Sequence, residues 1–495
     1  MRAVLVLLDS LRRDVLSCYN PTTQVYTPNI DAFCADSCTF DEHWIGSAPC
    51  MPARHDIMCG RTNFLERGWG PIEPYDCTLP RCLRDVGWFT HIVTDHFHYA
   101  RIGGENYLQQ FDTWDLQRGQ EGDPWVSRID APDMPETYYG RVRRQYQLNR
   151  RMWPQEDQMP SPRTFSSACE WLEENAGADN FFLMVEAFDP HEPFDVPDSY
   201  MDMYGGGEGL DREYFEIPQY GRVSDTDVTP SALDYLRRRY CALVTMCDYW
   251  FGRLIRRMRE LGMYEDTLIM LTTDHGFFLG ERDYLGKNCM PVYNELARLP
   301  LIVHFPGSAR AGERVGEITQ NIDLMPTLLD YAKADVPGAV MGRSLRPHAA
   351  CNHAPGHDYA LFGYHAMDVN VYDGRYVYMR APITDNEPCY DYTAIPTTIF
   401  RMLGTECTDR IKCGRYLPRT DYPVFKIPSR PMGGASGPLD DVWVTRLFDL
   451  ACDPCEQENL AGKCPDIESH MLALLDRAMR EADSPPEQWR RLGMA

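Results

Sequence analysis

The sequence predicts an α/β fold: a large, mostly parallel sheet sandwiched by helices, followed by a smaller C-terminal α+β subdomain. Two observations carry the architecture. Short apolar, β-rich runs alternate with segments of helical period over roughly the first 370 residues, as strands joined by crossover helices would. Beyond them the pattern changes to a hairpin, a further strand and a terminal helix. A third observation points to a site. Acidic residues close two of the apolar runs, at Asp9 and Asp274, and ligands of open α/β sheets gather beyond the carboxyl ends of the strands.

In chain order, strands are expected at Val4 to Leu8, Trp88 to Thr94, Phe181 to Ala187, Thr267 to Thr273 and Leu299 to His304. Thr229-Pro230-Ser231 reads as a capped helix start that leads into an amphipathic segment through Arg259, stopped near Gly262. Asn321 to Ala332 reads as another helix. Val369 to Val371 and Arg375 to Met379, joined by Tyr372-Asp373-Gly374, form a hairpin. Val442 to Asp449 supplies a strand and Ile467 to Ala482 the last helix, with loops at 355–358 and 428–438. A chain of 495 residues exceeds one usual core, so the expected division is a catalytic domain over 1–370 and a subdomain over 371–495.

Composition excludes several classes of function. The net charge is −24, and only five of the cations are lysine. Arginine clusters such as Arg237-Arg238-Arg239 lie in mixed-charge, helix-like surroundings and read as solvated faces. No basic stripe appears, which argues against nucleic acid. An anionic substrate must therefore meet a local positive site. No run reaches the ~18 apolar residues of a membrane helix. The opening apolar run is short, lacks a small-residue cleavage site and leads into charged residues 9–14, so it reads as a buried strand and a cytoplasmic location is expected. The 18 cysteines are then expected to be thiols, and Cys452-Asp453-Pro454-Cys455 is a lone CxxC without a second pair.

Two constellations carry chemistry. Pro49-Cys50-Met51-Pro52-Ala53-Arg54 has the form Cys-x-Pro-x-Arg. Its plain reading is a cysteine at a helix start, where Pro52 suits the first turn. Asp9, Asp274 and His275, each closing a strand, make an oxygen-rich site for a divalent metal.

Together with Leu8-Asp9-Ser10-Leu11-Arg12, Asp189-Pro190-His191-Glu192-Pro193-Phe194, Thr273 to Glu281, Gly286-Lys287, Asp323 to Leu328 and Leu447 to Leu450, these segments give the chain a resemblance to the type I sulfatases of the alkaline phosphatase superfamily. The resemblance runs nearly end to end. It implies that Cys50 is oxidised to Cα-formylglycine by a formylglycine-generating or anaerobic sulfatase-maturating enzyme. Asp9, Asp274, His275 and the hydrated aldehyde at Cys50 would hold a divalent cation, Ca2+ by default, with Mn2+, Mg2+ or Zn2+ open. The hydrate would attack sulfur and the second hydroxyl would expel sulfate. Arg54 would hold the hydrate, Lys287 would neutralise the equatorial oxygens, and His191 would protonate the leaving oxygen or bind the sulfate. The implied substrate is a sulfated small molecule or saccharide.

Departures from the family pattern sharpen these expectations. Ser10 stands where many members have a second Asp. Thr94-Asp95-His96-Phe97-His98 stands where many have Gly-Lys-Trp-His, so His98 or His96 takes over part of the missing lysine's role, and His98 is assigned to substrate binding. Asp95 beside an anion must point away or pair with a cation. The long polar segment between Gly103 and Trp153, which contains Arg118 to Trp125, either lines a sugar subsite or is a well-packed excursion with no ligand. The alternative activity on the same machinery is phosphonate monoester or phosphodiester hydrolysis, and a third reading is an inactive binding protein with Cys50 unconverted.

Overall fold

The central strand of the computed structural model is β1 (Arg2–Leu8), buried at every position after Arg2. Successive side chains of a strand point to opposite faces. Val4, Val6 and Leu8 accordingly enter one core, and Ala3, Leu5 and Leu7 another. The structure describes the whole chain except residues 131–133, 135, 142, 207–211, 213–215, 352–353, 384–385 and 432–439. Most of the expected 428–438 loop therefore lies outside the described residues.

The sheet is completed by β2 (Cys38–Trp44), β3 (Phe89–Thr94), β4 (Thr113–Leu116), β5 (Phe181–Ala187), β6 (Thr267–Thr272), β7 (Arg298–His304) and β8 (Arg314–Gln320). Their spatial order is β8-β2-β7-β6-β1-β5-β3-β4. Every neighbouring pair is parallel except the two made by β7, which runs antiparallel to both β2 and β6. The register aligns Leu8 with Ala187, Leu7 with Thr272 and Thr94 with Glu186. Four adjacent strands, β6, β1, β5 and β3, thus end at one edge.

Helices cover both faces. They are α1 (Pro28–Ala35), α2 (Cys50–Cys59), α3 (Leu79–Asp85), α4 (Pro160–Glu174), α5 (Pro230–Glu260) and α6 (Leu324–Ala332). Apolar residues of α1, α4 and α5 join Val4, Val6 and Leu8, while those of α2, α3 and α6 join Ala3, Leu5 and Leu7. The α5 start follows the expectation, because the Thr229 hydroxyl accepts from Ala232 N–H at 3.2 Å and Pro230 occupies the first turn. Truncating a core residue such as Leu5 to alanine would cost about 2–5 kcal/mol. Among the described residues no helix is long and apolar enough to cross a membrane.

A second sheet holds the C-terminal part against the first. It comprises β9 (Ala360–Tyr364), β10 (Val369–Tyr372), β11 (Tyr376–Arg380) and β12 (Arg446–Asp449), with α7 (Pro465–Glu481) packed on it through Met471, Leu475 and Met479. The expected 370/371 division falls inside β10. Two residues from far earlier, Ser47 and Ala48, form the sheet's edge by pairing with Gly363 and Tyr364. That edge delivers the chain straight into α2. A third, small sheet joins Tyr390–Thr393, Val424–Pro428 and Lys412–Gly414.

Candidate active site

The four aligned strand ends carry the chemistry-bearing residues. Asp9 follows β1, Asp274 and His275 follow β6, His191 and Glu192 lie in the loop after β5, and His96 and His98 follow β3. Opposite them stands the first turn of α2. Pro52 fits there because first-turn positions need no intrahelical acceptor, and Gly60 closes the helix in the left-handed region, its N–H reaching Asp56 O at 2.8 Å. All ten α2 residues are buried.

Asp9, Cys50, Asp274 and His275 each bring one ligand atom to a common point, all within 4.8 Å of one another. The His275 Nδ1–H donates to Gly276 O at 2.8 Å, which leaves Nε2 as the free lone pair facing the cluster. Cys50 Sγ lies 3.0 Å from that nitrogen. Burial pushes the Cys50 thiol far above its ordinary range, so the unmodified residue is a neutral S–H donor and a poor nucleophile. Burial also opposes the Asp9 charge, but Arg54, Lys287 and His275 outweigh it and hold the carboxyl below the usual range.

Arg54 sits at the centre of three carboxylates. It pairs with Asp9 at 2.8 Å, with Asp274 at 2.5 Å and with Glu186, every side chain fully buried. Its remaining contact is with the Cys50 carbonyl at 3.1 Å. The guanidinium fork is thus spent on carboxylates and on the main chain of the nucleophile turn. Glu186 was not singled out in the sequence.

Lys287 Nζ donates to Ser10 Oγ at 3.0 Å and lies 3.9 Å from Asp9. Ser10 in turn donates to Asp9 at 2.8 Å. Ser10 therefore bridges the lysine and the metal-side carboxylate, where a second Asp was expected from the family pattern. It holds φ +64°, a costly region for a residue with a Cβ, and Tyr240 of α5 fixes it by donating to its carbonyl at 2.8 Å. Burial works to lower the Lys287 ammonium, yet acidic neighbours that include Asp9 and Asp274 hold it above the usual range.

The imidazoles form the opposite wall. The His191 ring donates from Nδ1 to the Glu192 carbonyl and lies tilted against Phe188, ring centres 4.0 Å apart. His96 and His98 lie 4.8 Å apart, and His96 Nε2 is 3.8 Å from Asp9. Burial and nearby cations keep His191, His96 and His98 neutral. His98 meets Trp69 and Phe400, which line a cavity of about 1060 Å³ that also touches Pro49 at the α2 start and Asn288 beside Lys287. That volume stands at the upper end of the roughly 300–1,000 Å³ usual for small-molecule sites.

Asp95 needs no cation. It accepts from Ser161 Oγ at 2.6 Å, Gln120 Nε2 at 2.9 Å and Phe188 N–H at 2.7 Å, and burial lifts it to about 6. The 118–125 segment mostly packs on itself: Arg118 pairs with Asp123 at 2.6 Å, and Trp125 stacks on Trp153. Gln120, Glu121 and Asp123 are its buried polar members.

Comparison with known proteins gives this arrangement its family. The family model described as Sulfatase matches residues 2–334. An N-acetylglucosamine-6-O-sulfatase of Bacteroides thetaiotaomicron is 40% identical over 395 residues, 70% of each chain. A structure in complex with its substrate D-glucosamine-2-N,6-O-disulfate superposes with TM-score 0.67 at 18% identity, covering 97% of this chain and 98% of the other. A phosphonate monoester hydrolase of Agrobacterium radiobacter shares the fold equally, with TM-score 0.67 at 18% identity over 97% and 95%. The chain belongs to the sulfatase family of the alkaline phosphatase superfamily and is a sulfuric-ester hydrolase.

Proposed function

We propose that this sulfatase removes sulfate from a sulfated carbohydrate, with a formylglycine made from Cys50 as nucleophile and a divalent cation, calcium first, at Asp9, Asp274 and His275. The convergence of these residues with Cys50 carries the reading. The donor set fits a hard divalent ion: two buried carboxylates, one of them held ionised, and an imidazole whose tautomer leaves Nε2 free. When bound, such an ion lowers the pKa of a coordinated hydroxyl and polarises ester oxygens. Arg54 and Lys287 against Asp9, Asp274 and Glu186 leave one net negative charge, which a divalent ion turns to one positive. A single anion is then attracted locally, although the chain as a whole is strongly acidic.

The chain's own groups divide the remaining work. Arg54 keeps the two metal-side carboxylates and the Cys50 carbonyl in fixed relation. Lys287, oriented through Ser10, supplies a cation to the oxygens that gain charge. His191 keeps its proton on Nδ1, bonded to the Glu192 carbonyl, so Nε2 serves the leaving oxygen only after taking up a proton, and His98 joins the anion site to the aromatic mouth of the cavity. That cavity and the N-acetylglucosamine-6-O-sulfatase relative support a saccharide as the remainder of the ester.

A second reading, phosphonate monoester or phosphodiester hydrolysis, is favoured by one observation: Ser10 leaves the metal side with fewer carboxylates than many sulfatases carry. Both substrates are tetrahedral monoanions, so a panel of sulfated sugars, aryl sulfate and aryl phosphonate separates the readings. Peptide mass spectrometry over residues 47–54 should show a loss of about 18 Da at Cys50 in chain made alongside its maturation enzyme. An intact thiol there would leave only an inactive binding protein.

A further inference from the structure

Glu192 follows His191 in the loop after β5, and its side chain is buried to 1% exposure. Oε1 accepts from the Tyr220 hydroxyl, whereas Oε2 has no hydrogen-bond partner among the described residues. Oε2 lies 3.8 Å from Lys287 Nζ and 3.4 Å from His191 Nδ1. Glu121 completes the cluster, its carboxylate within 4.8 Å of the His191 and Glu192 ligand atoms and paired with Arg143 at 2.8 Å. Two carboxyls and an imidazole of this kind invite a second metal ion. The Lys287 ammonium already stands beside them, so the cluster is the seat of that lysine.

We infer that Glu192 is a positioning residue for the hydrolysis: it seats the Lys287 ammonium beside the His191 ring, so that both approach the same tetrahedral anion. This rests on the roles proposed above for Lys287 and His191. Lys287 is the one buried lysine among the described residues. Ser10 and Asp9 tie its ammonium from the β1 side, and the Phe277 ring lies 5.6 Å away. Among the described residues, Glu192 ties it from the β5 side. Without Glu192 the ammonium is drawn toward Asp9 and away from the substrate's oxygens.

The local backbone supports this seat. Gly286 holds φ +96°, and a Cβ there would stand 2.2 Å from the Tyr220 ring, the ring whose hydroxyl fixes Glu192. Only glycine lets Tyr220 and Lys287 sit side by side.

The protonation state of Glu192 decides how much of the Lys287 charge is offered outward. A carboxylate would form a full ion pair and cancel that charge, whereas the neutral acid holds the ammonium and leaves it positive. The groups facing Glu192 are Lys287, Glu121, Asp9, His191 and Tyr220. Burial pushes its carboxyl up to about 8, with Lys287 opposing and Glu121 and Asp9 adding to the rise, so the neutral form prevails at pH 7.

The test uses matured, metal-loaded enzyme on p-nitrophenyl sulfate and p-nitrophenyl phenylphosphonate across pH 6–10. Glu192→Ala should raise KM by about 10–100-fold, with a smaller fall in kcat and an unchanged Tm. Glu192→Gln, neutral at every pH, should recover most of that loss and lack the rise in KM expected of the unaltered enzyme above pH 8. The inference is overturned if Glu192→Ala leaves KM and kcat within twofold. It is also overturned if Glu192→Gln keeps the alkaline rise or is as impaired as the alanine variant. Should Glu192→Ala fail to fold, the Glu192→Gln profile decides alone. Turnover of the phosphonate but not the sulfate overturns the sulfate reading while still scoring Glu192.

Discussion

Replacing Arg54 by methionine keeps the length of the side chain and deletes its charge. Three fully buried carboxylates, on Asp9, Asp274 and Glu186, then lose their common counter-ion. Removing one partner of a buried pair costs about 3–5 kcal/mol, because the surviving charge is left without compensation. Taking up a proton limits the loss, since neutralising a carboxyl of ordinary pKa near 4 costs about 4 kcal/mol at pH 7. One such proton is the least the cluster needs, and Lys287 still faces Asp9, so a total of roughly 4–8 kcal/mol is expected. Against a typical stability of about 5–15 kcal/mol this is severe. An unfolding entropy of ~2 cal/mol/K per residue over 495 residues gives about 1 kcal/mol per degree, hence a Tm lower by roughly 4–8 °C.

The assay is calorimetry of the chelated protein at pH 7.5 and pH 5. In the native chain Asp9 titrates below its unfolded value, so its contribution is complete above that value and is lost only as pH falls through the lowered one, below this window. In the variant, burial acts on Asp9 without Arg54 and lifts its pKa above the unfolded value. Its ionisation then destabilises the fold, so the deficit should shrink from pH 7.5 to pH 5. A variant within 1 °C of the parent at pH 7.5, or a deficit that grows on acidification, would refute the counter-ion role.

Three further outcomes are expected. Cys50→Ala should abolish turnover and leave the far-UV spectrum and Tm unchanged; more than trace activity would contradict its role as nucleophile. Asp9→Asn should cut kcat/KM by at least about a hundredfold and weaken calcium binding in calorimetric titration, because it removes a metal-side charge from a site worth several kcal/mol. Asp95 has a folded pKa raised to about 6, so its stabilisation is fully present below the unfolded value and lost as pH rises through 6. The parent should therefore gain about 1 kcal/mol over Asp95→Asn between pH 7.5 and pH 5. Equal shifts in the two proteins would show that Asp95 is not protonated in the fold.

What could be read from the sequence was what local pattern encodes. The β1, β5 and β6 runs are buried on both faces and therefore mostly apolar, which made them visible. Strand β2 carries Asp41 and Glu42 and pairs through a register shift opposite Leu299 and Leu301, so its polar residues hid it. Strands β4 and β8 lie at the two edges and keep polar, partly exposed positions. Strand β12 begins only at Arg446, after a helical turn at Asp440–Trp443, later than the Val442 expected.

The site was legible where residues sit in recognisable strings at strand ends, as Asp9, Asp274 and His275 do. Glu186 was overlooked because it lies within an apolar strand. A carboxylate at the sixth position of Phe-Phe-Leu-Met-Val-Glu-Ala was itself the signal, since burying it demands a cation. The Glu192–Tyr220–Lys287 grouping joins three distant segments and leaves no local trace.

The burial of the α2 turn also sets an order of events. Cys50 and Arg54 are each about 1% exposed and Pro52 is buried, with Arg54 locked to Glu186 of β5 and to Asp9 and Asp274 just beyond β1 and β6. A maturation enzyme that reads Cys-x-Pro-x-Arg cannot reach it once those strands have closed over the helix. Under the proposed chemistry, conversion must come before folding. A chain that folds first is stranded as a stable thiol protein, and adding the maturation enzyme later should not revive it. Its active fraction would then record a race won or lost during synthesis.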